Sequence, residues 1–224
     1  MSSRHDRQIP IIGEEGQGRL REAVVGIAGC GGLGTTVVTN LASAGVGRLV
    51  LVDGDVPDIT NLNRQFVFRE GQDVPKSRLL SDWASEVGPD VEVTHHAEWL
   101  TEDNLDGFFS GCDIVVDCLD SMSTRKMLSR YCVEHGKVFV HAGVTGYTGQ
   151  LTVVVPGRTP DLEQIYASVN DSVGVTPSLG SMVGTLASLE ATQVIQIITG
   201  TGSPFIGRML VMNLESGDVD VITL

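Results

Sequence analysis

The segment Gly29-Cys30-Gly31-Gly32-Leu33-Gly34 places glycines where a chain would cradle phosphate. A glycine turn between a strand and a helix brings backbone N–H groups close to phosphate oxygens, and the helix it opens adds the positive end of its dipole. Asp53 follows about 20 positions on, at the end of the next apolar run, where a carboxylate suits ribose hydroxyls. Asp55 and Asp58 lie just beyond it. Dinucleotide enzymes share that much, so Gly29 to Asp53 alone allows an NAD-dependent oxidoreductase. They do not need what comes next: Asn61-Leu62-Asn63-Arg64-Gln65, then Lys76. Arg64 offers a planar fork for phosphate oxygens. Lys76 stands at the start of an expected helix, where a cation opposes the dipole and so suggests an anionic ligand. This polar cluster points to an intact triphosphate. No Lys-Ser or Lys-Thr follows the glycines, which excludes a P-loop.

A second group, Asp117-Cys118-Leu119-Asp120, ends a later apolar run. Either aspartate suits Mg²⁺, a hard ion that prefers carboxylate and phosphate oxygens. Asp120 also reads as a helix cap, a task open equally to Ser121 and Ser123. Arg125 and Lys126 are further cations that a phosphate pocket could gather. Cys30, Cys112, Cys118 and Cys132 form no C-x-x-C pair and read as packing thiols. His95 and His96 read as structural.

These residues need a scaffold that brings strand ends together. Residues 24–28, 49–52, 114–116 and 138–140 are short apolar runs, with a strand-like stretch at 91–94. Between them, helical patterns occupy 33–44, 76–87 and 123–135, and Thr101 caps a short helix that includes Asn104. Strands alternating with helices predict a Rossmann-like, doubly wound, mostly parallel α/β sheet. The C-terminal part differs. A strand at 150–155 precedes a loop at 156–176 rich in Pro, Gly, Ser and Asp. A long apolar helix at 177–198 follows, and residues 208–214 and 218–223 form a hairpin around Ser216-Gly217, an antiparallel extension. Residues 1–21 read as a polar arm with glycines at 13, 16 and 18 and a short helix near 4–8.

The 224 residues are expected to form one domain. An apolar share of 42% and a charged share of 19% suit an ordinary soluble protein. A net charge of −13 argues against a nucleic-acid surface. The polar opening and the lack of a long apolar run predict no membrane association and a cytoplasmic protein with reduced thiols.

Taken together, these motifs resemble the MoeB/ThiF/HesA family, the core fold of ubiquitin-activating enzymes, over nearly the whole chain. Arg4-His5-Asp6-Arg7-Gln8 resembles its N-terminal Arg-x-x-Arg-Gln. Gly29 to Gly34 resembles its glycine loop, and Asp53-Gly54-Asp55-Val56 through Asn61-Leu62-Asn63-Arg64-Gln65 its most specific motif. Val74-Pro75-Lys76 and Asp117 to Asp120 resemble later segments, as do Gly143 to Gln150 and Pro177 to Gly200.

The resemblance implies an ATP- and Mg²⁺-dependent adenylyltransferase. Its substrate is the C-terminal glycine of a ubiquitin-like sulfur carrier or, alternatively, a small-molecule carboxylate in cofactor or natural-product assembly. It implies nucleotide contacts from Gly29, Gly31, Gly32, Gly34, Asp53, Asp55, Asn61, Arg64, Gln65, Lys76, Leu119 and Asp120, with Asp120 holding Mg²⁺. It implies that Arg7 reaches into the partner's site of a homodimer with shared active sites. The intact Arg7, Arg64, Lys76 and Asp120 argue against a non-catalytic subunit. Two departures stand out. The zinc-binding C-x-x-C pairs of many relatives are missing, so no zinc is expected. The 156–176 loop has no cysteine, so the reaction is expected to stop at the acyl-adenylate, with sulfur supplied by another protein. Ser121 replaces the usual Asn after the Mg-binding aspartate.

Overall fold

The computed structural model describes residues 3–171 and 173–224. The described residues include an eight-stranded sheet of order β3-β2-β1-β4-β5-β6-β7-β8. Its parallel part comprises β1 (Val24–Ala28), β2 (Arg48–Val52), β3 (Glu92–His96), β4 (Ile114–Asp117) and the start of β5 (Val138–Thr145). From β5 the sheet turns antiparallel through β6 (Thr148–Val154), β7 (Arg208–Asn213) and β8 (Asp218–Thr223). β1, β2 and β4 are apolar on both faces because helices cover both sides.

On one face lie α1 (Ile9–Glu22), α2 (Gly32–Ala44), α3 (Lys76–Val87) and α7 (Gly180–Thr199). On the other lie the short α4 (Leu105–Phe109), α5 (Met122–Glu134) and α6 (Leu162–Ile165). The chain reverses direction across the sheet between β1 and β4. Their carboxyl ends therefore open a crevice, the usual place for a ligand in an open α/β sheet.

Three local expectations are corrected. Residues 9–22 are helix, not a polar arm, and residues 4–8 form turns rather than a short helix. Gly13 alone leaves helical geometry, at φ +75°, where α1 kinks. A Cβ at Gly16 would lie 3.3 Å from both Ile12 and Thr199, so glycine lets α1 settle closely on α7. The region 156–176 is not loop throughout, because α6 sits inside it under a capping box formed by Asp161 and Gln164. The long apolar helix begins at Gly180, leaving Pro177 outside it.

Candidate functional site

The glycine turn leaves β1 at Gly29, whose φ of +97° and position 2.6 Å (as a built Cβ) from the Cys118 carbonyl oxygen both demand glycine. A Cβ on Gly34 would sit 2.1 Å from the Gly29 oxygen. The turn is thus wedged against the segment that follows β4. Gly31 caps α2 with no side-chain bond, and no acidic residue occupies the first turn. The leading N–H groups of a helix have no intrahelical acceptor. Here they stand at the crevice with the positive end of the dipole.

Asp53, at the end of β2, accepts from the Cys30 N–H at 2.7 Å through Oδ2 and from the Asp55 N–H at 2.8 Å through Oδ1. It braces the glycine turn, and each oxygen keeps a further lone pair for a ligand hydroxyl. Burial raises its pKa, while the two N–H bonds and nearby Lys76 pull the other way. Lys76 is 5% exposed; its Nζ pairs with Asp55 Oδ2 at 2.5 Å and its N–H donates to the Asp55 carbonyl at 2.9 Å. The fold therefore fixes this ammonium beneath the Asp53–Asp55 turn.

The segment after β2 folds back over the glycines. Asn61 ends a short 3₁₀ turn, Ile59–Asn61, and its Oδ1 accepts the Asp58 N–H at 3.1 Å. Part of its polar capacity thus serves a capping box. Arg64 lays its stem over Gly32, where a Cβ would meet Cγ at 3.3 Å. Its Nη1 donates to the Thr60 carbonyl at 3.0 Å and to Asn63 Oδ1 at 2.8 Å. Gln65 is buried, with Nε2 3.5 Å from a Cβ built on Gly31, and its Oε1 is a buried acceptor with no partner among the described residues.

The two aspartates after β4 separate. Asp117 is fully buried and cannot serve an external ion: Oδ2 lies 2.6 Å from His141 Nδ1 and 3.7 Å from Arg125 Nε, and Oδ1 accepts the Leu119 N–H at 3.1 Å. Burial lowers the His141 pKa against the pull of Asp117. With its proton on Nδ1, the ring donates to the carboxylate and accepts at Nε2 from the Tyr166 hydroxyl at 3.1 Å. Arg125 also donates to the Leu119 carbonyl, which fixes the backbone next to Asp120. Asp120 itself is exposed and accepts no hydrogen bond among the described residues. The cap of α5 is Ser121, whose Oγ accepts the Thr124 N–H at 3.3 Å.

Arg125 and Lys126 do not join Arg64 and Lys76. Lys126 Nζ donates to the Val169 carbonyl at 2.7 Å. Arg7 is exposed in the turn before α1 and lies away from the cluster. Its neighbour Gln8 bonds to the Ala44 carbonyl at 2.7 Å, at the far end of α2 from the glycine turn. The 13 residues of α2 put roughly 20 Å between those two ends. All four cysteines are free and buried, and burial pushes the Cys30 and Cys118 thiols well up.

Sequence reasoning missed the chain Arg125–Asp117–His141–Tyr166, the buried Glu190 on α7 and the exposed Trp99. The first two had a signal: a histidine within the apolar run Val138-Phe139-Val140-His141-Ala142, and a lone acid in an apolar helix.

A model of the ThiF family matches residues 5–224, and the chain belongs to that MoeB/ThiF-like adenylyltransferase family. The vegetative HesA protein of Trichormus variabilis is 36% identical over 220 residues, covering 95% of this chain and 82% of that protein. The adenylyltransferase and sulfurtransferase MOCS3 of Bos taurus is 35% identical over 230 residues, covering 99% of this chain but 50% of its own length. Escherichia coli MccB, solved with ATP, shares the fold at a TM-score of 0.86 and 21% identity, covering 100% of this chain and 71% of that one. Among the described residues no helix is long and apolar enough to cross a membrane.

Proposed function

We propose that this chain is a single adenylation domain that uses ATP to activate a carboxylate as an acyl-adenylate, the carboxylate being the C-terminal glycine of a ubiquitin-like sulfur carrier. One observation carries this reading: the Arg64–Gln65 segment packs on Gly31 and Gly32, at the start of α2, where the leading N–H groups have no intrahelical acceptor. Asp53 and Lys76 flank that turn. The name of the MOCS3 relative, an adenylyltransferase and sulfurtransferase, and the ATP in the MccB structure point the same way.

The chemistry asks little of a general base. A carboxylate is ionised at neutral pH and attacks the α-phosphorus directly, forming the acyl O–P bond as the bond to pyrophosphate breaks. Positioning and charge stabilisation supply the rate. The glycine turn holds phosphate oxygens, Asp53 takes the ribose hydroxyls, and Arg64 and Lys76 offset negative charge. Gln65 Oε1, buried without a partner, is an acceptor ready for a donor on the ligand or its water. Asp120 fits Mg²⁺, because its carboxylate is exposed and Ser121 has taken the capping role. When bound, the ion neutralises charge on the departing pyrophosphate. Arg7 serves the partner subunit's site, being too distant for its own.

The test is ATP–pyrophosphate exchange with Mg²⁺, using small ubiquitin-like proteins that end in Gly-Gly and a separate pool of small carboxylates. Exchange that requires one carrier's intact terminus is the expected result. Exchange with a small carboxylate alone would move the protein to small-molecule adenylation, and exchange with neither would remove adenylation.

A further inference from the structure

We propose that Trp99 holds the nucleobase of the bound nucleotide by stacking on its indole face, an inference that rests on the nucleotide reading above. Trp99 lies just past β3, on the same carboxyl edge of the sheet as the glycine turn and Asp53. It is 70% exposed, an unusual setting for so large an apolar side chain. Its ring is nevertheless placed. A Cβ built on Gly54 would lie 2.9, 2.8 and 2.9 Å from Cδ1, Cδ2 and Cε2 of the indole. Three ring atoms at nearly equal distance mean that Gly54 sits under the face of the five-membered ring, not at its edge. One face therefore rests on backbone and the other is left to solvent.

Only glycine at position 54 permits this contact. The same three residues, Asp53-Gly54-Asp55, thus provide the ribose carboxylate and the platform under the indole. The backbone of Trp99 is pinned as well: Asn104 Nδ2 donates to its carbonyl at 2.9 Å, and Asn104 Oδ1 accepts the Thr101 N–H at 2.8 Å. A planar apolar face held one residue from a ribose-binding carboxylate stands where a base attached to that ribose would lie. Stacking on an aromatic face tolerates any base but favours the larger purines.

The chain has two tryptophans, which makes the test direct. Trp83 is half-buried and donates Nε1 to Thr39 Oγ1 at 2.9 Å, away from Gly54. The Trp83→Phe protein is titrated with ATP while Trp99 emission and calorimetric heat are both followed. The expected result is quenching that saturates at the calorimetric Kd. Trp99→Ala is expected to bind ATP about tenfold more weakly with an unchanged melting temperature, and Trp99→Phe to recover most of the loss. Calorimetric binding without quenching, or Trp99→Ala binding ATP like the wild type, overturns the inference while leaving the nucleotide site standing. Normal ATP affinity with a raised KM for the acceptor alone would instead assign Trp99 to acceptor docking, which also overturns it. No heat with any nucleotide removes the functional reading itself, and this inference with it.

Discussion

Asp117 and Asp120 stand three positions apart and do opposite work. Asp117 anchors His141 and Arg125 inside the protein, whereas Asp120 faces solvent with no capping duty. Asp120→Ala should abolish pyrophosphate exchange while shifting stability by less than about 0.5 kcal/mol, as surface changes do. Asp117→Ala should cost about 3–5 kcal/mol, because it strands a buried guanidinium and imidazole. Exchange assays and thermal melts on both variants separate these outcomes; turnover retained in Asp120→Ala would remove it from the mechanism. The sequence places both acids at a strand end and leaves the ion-holding role open between them. Register buries Asp117 and leaves Asp120 exposed. Asp117 pairs with His141 across adjacent parallel strands, 24 positions away, and no local pattern encodes that neighbour. The glycine turn, Asp53 and the Arg64 segment were legible because strand, turn and helix are consecutive in the chain.

Between α2 and the strand ends, the site depends on how closely backbones approach. Gly34→Ala would drive a methyl into the Gly29 carbonyl at 2.1 Å, and the neighbour is backbone that cannot rotate away. We expect it to lower the melting temperature by about 2–12 °C and to cost nucleotide binding, since overpacking of this kind costs about 1–3 kcal/mol. Gly184→Ala is the control. It lies inside α7 with nothing within 4 Å of the added carbon, so helix propensity should stabilise the protein by up to about 1 kcal/mol. Equal losses in both variants, read by thermal melts, would refute the wedged-turn account. Composition also explains where elements were misread. Glycines at 13, 16 and 18 suggested an arm because the packing role of Gly16, letting α1 approach α7 at Thr199, is visible only once α7 is in place. The 156–176 segment looked like plain loop because its anchors are distant: Tyr166 bonds to His141, Lys126 to the Val169 carbonyl, and Asp171 Oδ1 accepts the Ser123 N–H at 3.0 Å.

Two properties belong to the molecule as a whole. The first is its response to pH. Glu190 is fully buried, and burial raises its carboxyl well above the usual range, with Asp117 adding to the shift and Arg125 opposing it. The fold keeps a proton that the unfolded chain loses above about pH 4.3. Its contribution to stability is complete below that pH and declines as pH rises toward the folded value, by up to about 1.4 kcal/mol per unit. His141, lowered by burial, acts in the opposite sense below about pH 6.5, so the useful quantity is a difference between proteins. The melting temperature of Glu190→Gln relative to the wild type should rise steadily from pH 5 to pH 8; a constant difference would mean that the carboxyl is ionised in the fold. The second is the proposed homodimer with shared active sites. Arg7 lies at the end of α2 remote from the glycine turn, and beside it Ile11, Ile12, Leu20 and Ile195 line an apolar cavity of about 170 Å³ between α1 and α7. Ile11 is 79% exposed there, a surface suited to a second copy. If each site takes Arg64 from one subunit and Arg7 from the other, Arg7→Ala and Arg64→Ala are each inactive alone. Mixed, half the dimers pair unlike chains, and in each of those one site regains both arginines. Equimolar mixing after subunit exchange should therefore restore about a quarter of wild-type pyrophosphate exchange. A mixture as inactive as its parents, with hybrid dimers shown by native mass spectrometry, would place Arg7 outside the partner's site.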